Sequence, residues 1–170
     1  MQLNEDKCEH ITMNGNSNIK FTNGTCMKSA DRATYLGGQL TKDANPRIEV
    51  RTRISATIPV IRKLELFWSK ADCSTSWKLN VYNAVVISKL VYGLETLQMT
   101  DAVYNTLDAF QQRGIRKILG IPPTFIDRSN TNQQVFEKAN EIRGCSENKN
   151  KTPLVPLSDT IKQRKMTLLG

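Results

Sequence analysis

The chain has 170 residues, 39% hydrophobic and 24% charged, with 24 Lys+Arg against 16 Asp+Glu and a formal charge of +8. That suits one domain with a buried core, and the basic balance favours a polyanionic partner such as nucleic acid or an anionic membrane surface. No stretch nears the ~20 apolar residues of a membrane span and no apolar signal core follows Met1, so no membrane partner is expected and the chain reads as intracellular, nuclear or cytoplasmic.

Residues 8–41 read as short strands and turns. Cys8 to Met13 is a strand candidate, and Ile19 to Phe21 lies between the turn dipeptides Asn14-Gly15 and Asn23-Gly24. Thr34 to Leu40 is a third candidate, with Gly37-Gly38 marking a bulge or a close backbone approach. After Thr41 the pattern turns helical. Asn45-Pro46 pairs an N-cap with Pro at the first helical position. Ile54, Ile58, Ile61, Leu64 and Trp68 then form one apolar stripe toward Lys70, and Pro59 should kink or split that helix.

A second helix is predicted from Ser76 to Glu95. Its residues Val81, Tyr82, Val85, Val86, Ile87, Leu90, Val91 and Leu94 cover most of the circumference, which places it inside a bundle. A third starts after the N-cap Thr100, buries Val103, Leu107, Phe110, Gly114 and Ile118, and ends at Gly120. These helices should pack through Trp68, Leu90, Leu107 and Phe110. A shorter helix runs from Thr131 to about Ile142, a polar linker follows at 144–151, and Ser158 caps a last helix. The expected fold is mainly α: a short N-terminal β-hairpin region over 1–42, a three-helix bundle over 43–121, and shorter C-terminal helices over 122–170.

Charge is uneven along these pieces. Residues 45–70 carry six basic side chains against two acidic, and residues 145–170 carry five against two. At ~100° per residue, Arg47, Arg51 and Arg62 fall within roughly 60° of one another beside the apolar stripe. A basic ridge so placed suits a phosphate backbone, although charge alone favours an ordinary solvated helix face.

No catalytic constellation is present. There is no Walker-type loop and no Gly-x-Ser-x-Gly elbow. The only adjacent acidic pair, Glu5-Asp6, lacks the second carboxylate that two-metal chemistry requires. His10 is the lone histidine and reads as a surface residue in a turn-rich segment. Cys8, Cys26, Cys73 and Cys145 form no C-x-x-C pair, and Cys8, His10 and Cys26 fit no common zinc finger, so four reduced thiols are expected. From the residues alone the chain is a basic helical binding module.

An ordered set of short motifs resembles the post-catalytic part of non-LTR (LINE-like) retrotransposon reverse transcriptases. Leu3-Asn4-Glu5-Asp6-Lys7 resembles the Leu-Asn-x-x-Lys segment after that family's catalytic hairpin. Tyr35-Leu36-Gly37-Gly38 resembles its primer-grip hairpin, where glycine lets the backbone approach a primer end closely. Arg51-x-Arg53-Ile54 resembles the opening of the first thumb helix. Tyr92-Gly93-Leu94-Glu95-Thr96 and Arg116-Lys117-Ile118-Leu119-Gly120-Ile121 resemble later thumb motifs. So do Asp127-Arg128 with Thr131-Asn132-x-x-Val135, and the final Arg164-Lys165-Met166-Thr167-Leu168-Leu169-Gly170. Leu97 stands where the family usually has tryptophan, and Pro59 where it has a small helix former.

The resemblance implies a fragment of an RNA-directed DNA polymerase. It would contribute primer-grip and thumb contacts and would be inactive alone, because the metal-binding aspartates would lie before Met1. It implies RNA and RNA–DNA duplex as partners, with no small-molecule substrate for this chain alone. It implies no cofactor in this chain, with Mg2+ serving the complete enzyme. The nucleic-acid-binding residues implied are Lys7, Tyr35, Leu36, Gly37 and Gly38, joined by the ridge residues Arg47, Arg51 and Arg62. A free-standing basic helical module that binds nucleic acid or protein remains the alternative.

Overall fold

The computed structural model describes residues 4–13, 15, 17–35, 38–145 and 152–170. The chain divides into two units, Met1–Thr52 and Arg53–Gly170. The architecture is the expected one in outline: a few short N-terminal strands, then helices.

In the first unit, a 3-10 turn at Glu5–Lys7 leads into β1 (Glu9–His10), which pairs in parallel with β2 (Lys28–Ser29). The strand expected over Cys8 to Met13 is thus only two residues long. The Asn23-Gly24 turn forms as its sequence predicts. Phe21 N–H donates to the Thr25 carbonyl at 2.9 Å, and Gly24 takes φ 85°, which glycine adopts at no steric cost. Asn14 lies outside the described residues. His10 corrects the surface reading: it is buried, and Nε2 lies 3.1 Å from the Ser17 carbonyl. Adjacent backbone pairing fixes it, since Ala30 N–H donates to the His10 carbonyl.

The single strand expected over Thr34 to Leu40 is instead an antiparallel hairpin of β3 (Arg32–Tyr35) and β4 (Gly38–Thr41), with Tyr35 opposite Gly38. A helix, α1 (Pro46–Lys63), follows and straddles the unit boundary. Its start obeys the sequence, because the Asn45 side chain accepts from Arg47 N–H at 3.0 Å.

Pro59 does not split α1. It removes one donor, but Ser55 and Pro59 are both exposed, and solvent satisfies the freed carbonyl. The break comes at Leu64 (φ −92°, ψ 13°), after which α2 spans Glu65–Lys70. The Trp68 indole donates to the Ile61 carbonyl at 3.1 Å and closes that joint. The rest of the second unit is built from α3 (Thr75–Val81), a π-helical segment Tyr82–Ile87, α4 (Ser88–Val91), α5 (Asp101–Leu119), α6 (Asn132–Ile142) and α7 (Leu157–Leu169).

The second predicted helix is therefore one run that starts at Thr75, capped by Ser74, and ends at Val91. Gly93 (φ 70°) turns the chain there, so Leu94–Thr96 is a separate 3-10 turn. Leu79, Tyr82, Val86, Ile87, Leu90, Val91 and Leu94 are buried, but Val85 is exposed along with Asn83, Ala84, Ser88 and Lys89, so the run buries one broad face and is not enclosed all round as its apolar residues predict. On α5, Val103, Leu107 and Phe110 face the core as predicted, joined by Tyr104 and Ile115. Trp68 is buried and stacks edge-on against Tyr82 at 6.4 Å. The C-terminal helices α6 and α7 both pack on α5, so they belong to the bundle itself.

Candidate nucleic-acid interface

The expected contact residues fall in both units. Lys7 ends the first 3-10 turn and is exposed. The Tyr35 backbone closes the β3–β4 ladder opposite Gly38, while Leu36 and Gly37 lie outside the described residues. Arg47 and Arg51 stand one turn apart on the part of α1 that belongs to the first unit, and both are exposed. Arg62 is exposed on the part of α1 that belongs to the second unit. None of the side chains of Lys7, Arg47, Arg51 or Arg62 has a hydrogen bond or ion pair among the described residues. Each cation is therefore available to an external anion without first breaking an internal pair.

The structure brings several of the short motifs together. Within the second unit, the Arg53 guanidinium lies 3.9 Å from where a Cβ on Gly93 would stand, so Arg53 and Gly93 are neighbours. Arg116 joins the next two. It donates to the Pro122 carbonyl at 2.9 Å, the Asn130 carbonyl at 2.7 Å and the Asn132 side-chain oxygen at 3.1 Å. This arginine holds the 121–130 loop on the end of α5, where Gly120 (φ 66°) has turned the chain. It was legible as part of a motif, but its structural use was not.

Inside that loop Asp127 accepts from the Ser129 hydroxyl at 2.7 Å and from the Ser129 N–H at 2.9 Å. These bonds hold its carboxyl below the ordinary aspartate range. Thr131 then opens α6 with a reciprocal capping box to Gln134.

The C-terminal basic side chains are partly committed to structure. Lys162 sits 5.0 Å from the Tyr104 ring centroid, and Lys165 donates to the Gln98 side chain at 2.6 Å. Arg164 is exposed and has no partner among the described residues. Lys117 pairs with Glu65 at 2.6 Å, but both are half exposed, so the pair contributes less than about 1 kcal/mol.

Among the described residues no group of three or more His, Cys, Asp or Glu is placed to hold a metal ion. No helix is long and apolar enough to cross a membrane. The chain matches no family model, no curated protein and no solved structure.

Proposed function

We propose that this chain is a piece of a retrotransposon RNA-directed DNA polymerase, contributing primer-grip and thumb contacts to a template–primer duplex. One observation carries the reading: the short motifs from Leu3-Asn4-Glu5-Asp6-Lys7 to Arg164-Lys165 stand in that family's order over nearly the whole chain. Two further features support it. Lys7, Arg47, Arg51 and Arg62 are exposed and unpaired among the described residues. Tyr35 and Gly38 sit at the tip of a hairpin, the shape a primer grip needs.

In this reading the arginines meet phosphate oxygens and ignore base sequence. Lys7 and the Gly38 backbone act when the catalytic part of the enzyme is also present. In this reading the chain performs no nucleotide addition by itself, since two-metal phosphoryl transfer needs a carboxylate cluster and the described residues form none.

The test is a salt titration of RNA–DNA duplex binding. Phosphate contacts release counterions, so log K should fall with log salt by about 0.9 per contact on a B-form duplex, whatever the sequence. Replacing Arg47, Arg51 and Arg62 together by Ala should flatten that slope by roughly two to three units. Equal slopes for the native and triple-variant chains would take the arginines out of the interface.

A second reading, a free-standing basic module, has one observation in its favour. Glu9–His10 already finds a partner strand, Lys28–Ser29, within the chain, where a palm remnant would offer an unpaired edge.

A further inference from the structure

Between the caps of α5 and α6, the loop over 121–130 is tied down yet carries two bare apolar side chains at its tip. Phe125 is 85% exposed and Ile126 is 66% exposed. Arg116 holds the loop from α5, donating to the Pro122 carbonyl near one end and to the Asn130 carbonyl at the other. Inside it, Ile126 N–H and Asp127 N–H both donate to the Pro123 carbonyl, at 3.0 and 3.2 Å, and Asn130 N–H donates to the Asp127 carbonyl at 3.2 Å. Pro122 and Pro123 lock two further φ angles. The tip is thus held in place before any partner arrives, so binding costs little ordering entropy.

The surroundings are basic. Residues 113–138 carry five basic side chains (Arg113, Arg116, Lys117, Arg128 and Lys138) against two acidic (Asp127 and Glu137), so 5 − 2 = +3. Arg128, two residues after Ile126, is exposed and has no partner among the described residues. Asp127, the one carboxylate of the loop, is committed within it. It accepts from the Ser129 N–H and hydroxyl and from the Asn130 side chain at 3.2 Å.

Size decides what can cover the tip. One phenyl ring and one isoleucine offer roughly 300 Å² of apolar surface. A stable protein–protein contact covers about 800 Å² on each partner. A lipid surface would meet the Asp127 charge directly beside the inserted side chains. A nucleobase needs only one ring face, and an aromatic side chain flanked by a cation is what a single strand stacks on.

We propose that Phe125 stacks on an unpaired nucleobase of a single strand, with Arg128 on a backbone phosphate beside it. This contact rests on the proposed function for its class of partner, nucleic acid, but it uses no residue of α1 and needs no duplex.

The experiment titrates the full chain into a short single-stranded oligoadenylate carrying one 2-aminopurine, whose emission reports stacking, over a range of salt. Phe125→Ala should weaken binding by about fivefold or more at every salt concentration and leave the slope of log K against log salt unchanged, because stacking releases no counterion. Phe125→Leu should lose nearly as much, and Phe125→Trp should bind at least as tightly as the parent. Arg128→Ala should instead flatten the slope by about 0.7, the value for one phosphate on a single strand. Parent-like affinity in Phe125→Ala overturns the proposal. So does parent-like affinity in Phe125→Leu, which makes the tip an apolar plug and not a stacking face. Phe125-dependent binding to phosphatidylserine vesicles, or Phe125-dependent self-association in sedimentation, with the oligonucleotide unaffected, assigns the tip to a lipid or a protein surface and overturns it too. Strand binding that ignores Phe125, together with a flattened duplex slope in the α1 triple variant, removes the stacking contact alone. Absence of binding to both strand and duplex removes the proposed function with it.

Discussion

Gly114 shows how much a single position can depend on what it lacks. It lies mid-helix on α5, where glycine is disfavoured relative to alanine by up to about 1 kcal/mol, so intrinsic propensity favours replacing it. The Tyr82 ring fills the space a side chain would need. A Cβ built there would fall inside van der Waals contact with Tyr82 Oη and Cζ, and 2.6 Å from Cε2. Tyr82 is 2% exposed, its hydroxyl donates to the Gln111 carbonyl at 3.4 Å, and burial pushes its phenol well above the usual tyrosine value despite nearby Arg113. The ring has nowhere to go. Gly114→Ala should therefore destabilise by about 1–3 kcal/mol or more, because overpacking outweighs the helix preference. Adding Tyr82→Phe should not rescue it, since the ring carbons still collide. Urea denaturation of the three chains checks this, and a Gly114→Ala variant as stable as the parent would rule the packing argument out. The sequence placed Gly114 on the inner face of α5, but its reason lies on another helix, and no local pattern reports that.

At the scale of elements, the same division runs through the helix ends. Most caps made within a few residues were legible, namely Asn45 before α1, Thr131 with Gln134 before α6 and Gly120 after α5, whereas Thr100 holds the N-cap position of α5 without a side-chain capping bond. Caps supplied from elsewhere were not. Ser158 reads as the N-cap of the last helix, yet α7 starts one residue earlier, at Leu157, and the Ser158 hydroxyl makes no hydrogen bond among the described residues. The first-turn donors go to α5 instead. Ser158 N–H donates to the Asp108 carboxylate at 2.9 Å, and Leu157 N–H to the Gln111 side chain at 3.1 Å. Gln111 also donates to the Val155 carbonyl at 3.0 Å, which explains why an amide side chain is 2% exposed on a core face. A carboxylate at a helix N-terminus satisfies an orphan donor and meets the positive end of the helix dipole. Asp108→Ala should cost about 1–2 kcal/mol, whereas Ser158→Ala should stay within about 0.5 kcal/mol. Thermal melts of the two variants decide between the caps, and the reverse order of costs would restore the serine to the role its sequence position suggests.

Across the whole molecule, legibility follows the range of the interactions. The mainly α architecture, and the buried set of Trp68, Leu90, Leu107 and Phe110, could be read from helical periodicity, but the stripe predicted on α1 is not a core face, since Ile58 is exposed and Ile54 and Ile61 are only half-buried. The break at Leu64 rather than Pro59 could not be read, since it depends on an indole reaching back to the Ile61 carbonyl. The two-residue length of β1 and the burial of His10 depend on a strand eighteen or more residues away in sequence, for which no periodic signal exists. Of the candidate contact residues, the exposed arginines of α1 were legible from charge and spacing. The display of Phe125 was not, because it depends on Arg116 holding both ends of its loop. The N-terminal strands and the second unit also differ in what holds them together. Before residue 46 only His10 and Thr41 are buried among the described residues, and both are polar. The second unit buries Leu79, Val86, Leu90, Leu94, Leu107, Ile115 and Ile161 at 5% exposure or less. Full burial of such a side chain contributes about 1.5–3 kcal/mol, so the second unit has a core to resist opening and the N-terminal strands do not. Amide hydrogen exchange should therefore be fast across residues 4–30 and slow along α5 and the Thr75–Val91 run, with protection in the two regions lost at separate denaturant concentrations. The β1–β2 pairing supplies few backbone bonds and little apolar cover, so it should not slow exchange by itself. Protection at His10 and Ala30 equal to that of Leu107 would show a self-sufficient N-terminal element, and would move the functional reading toward the free-standing module.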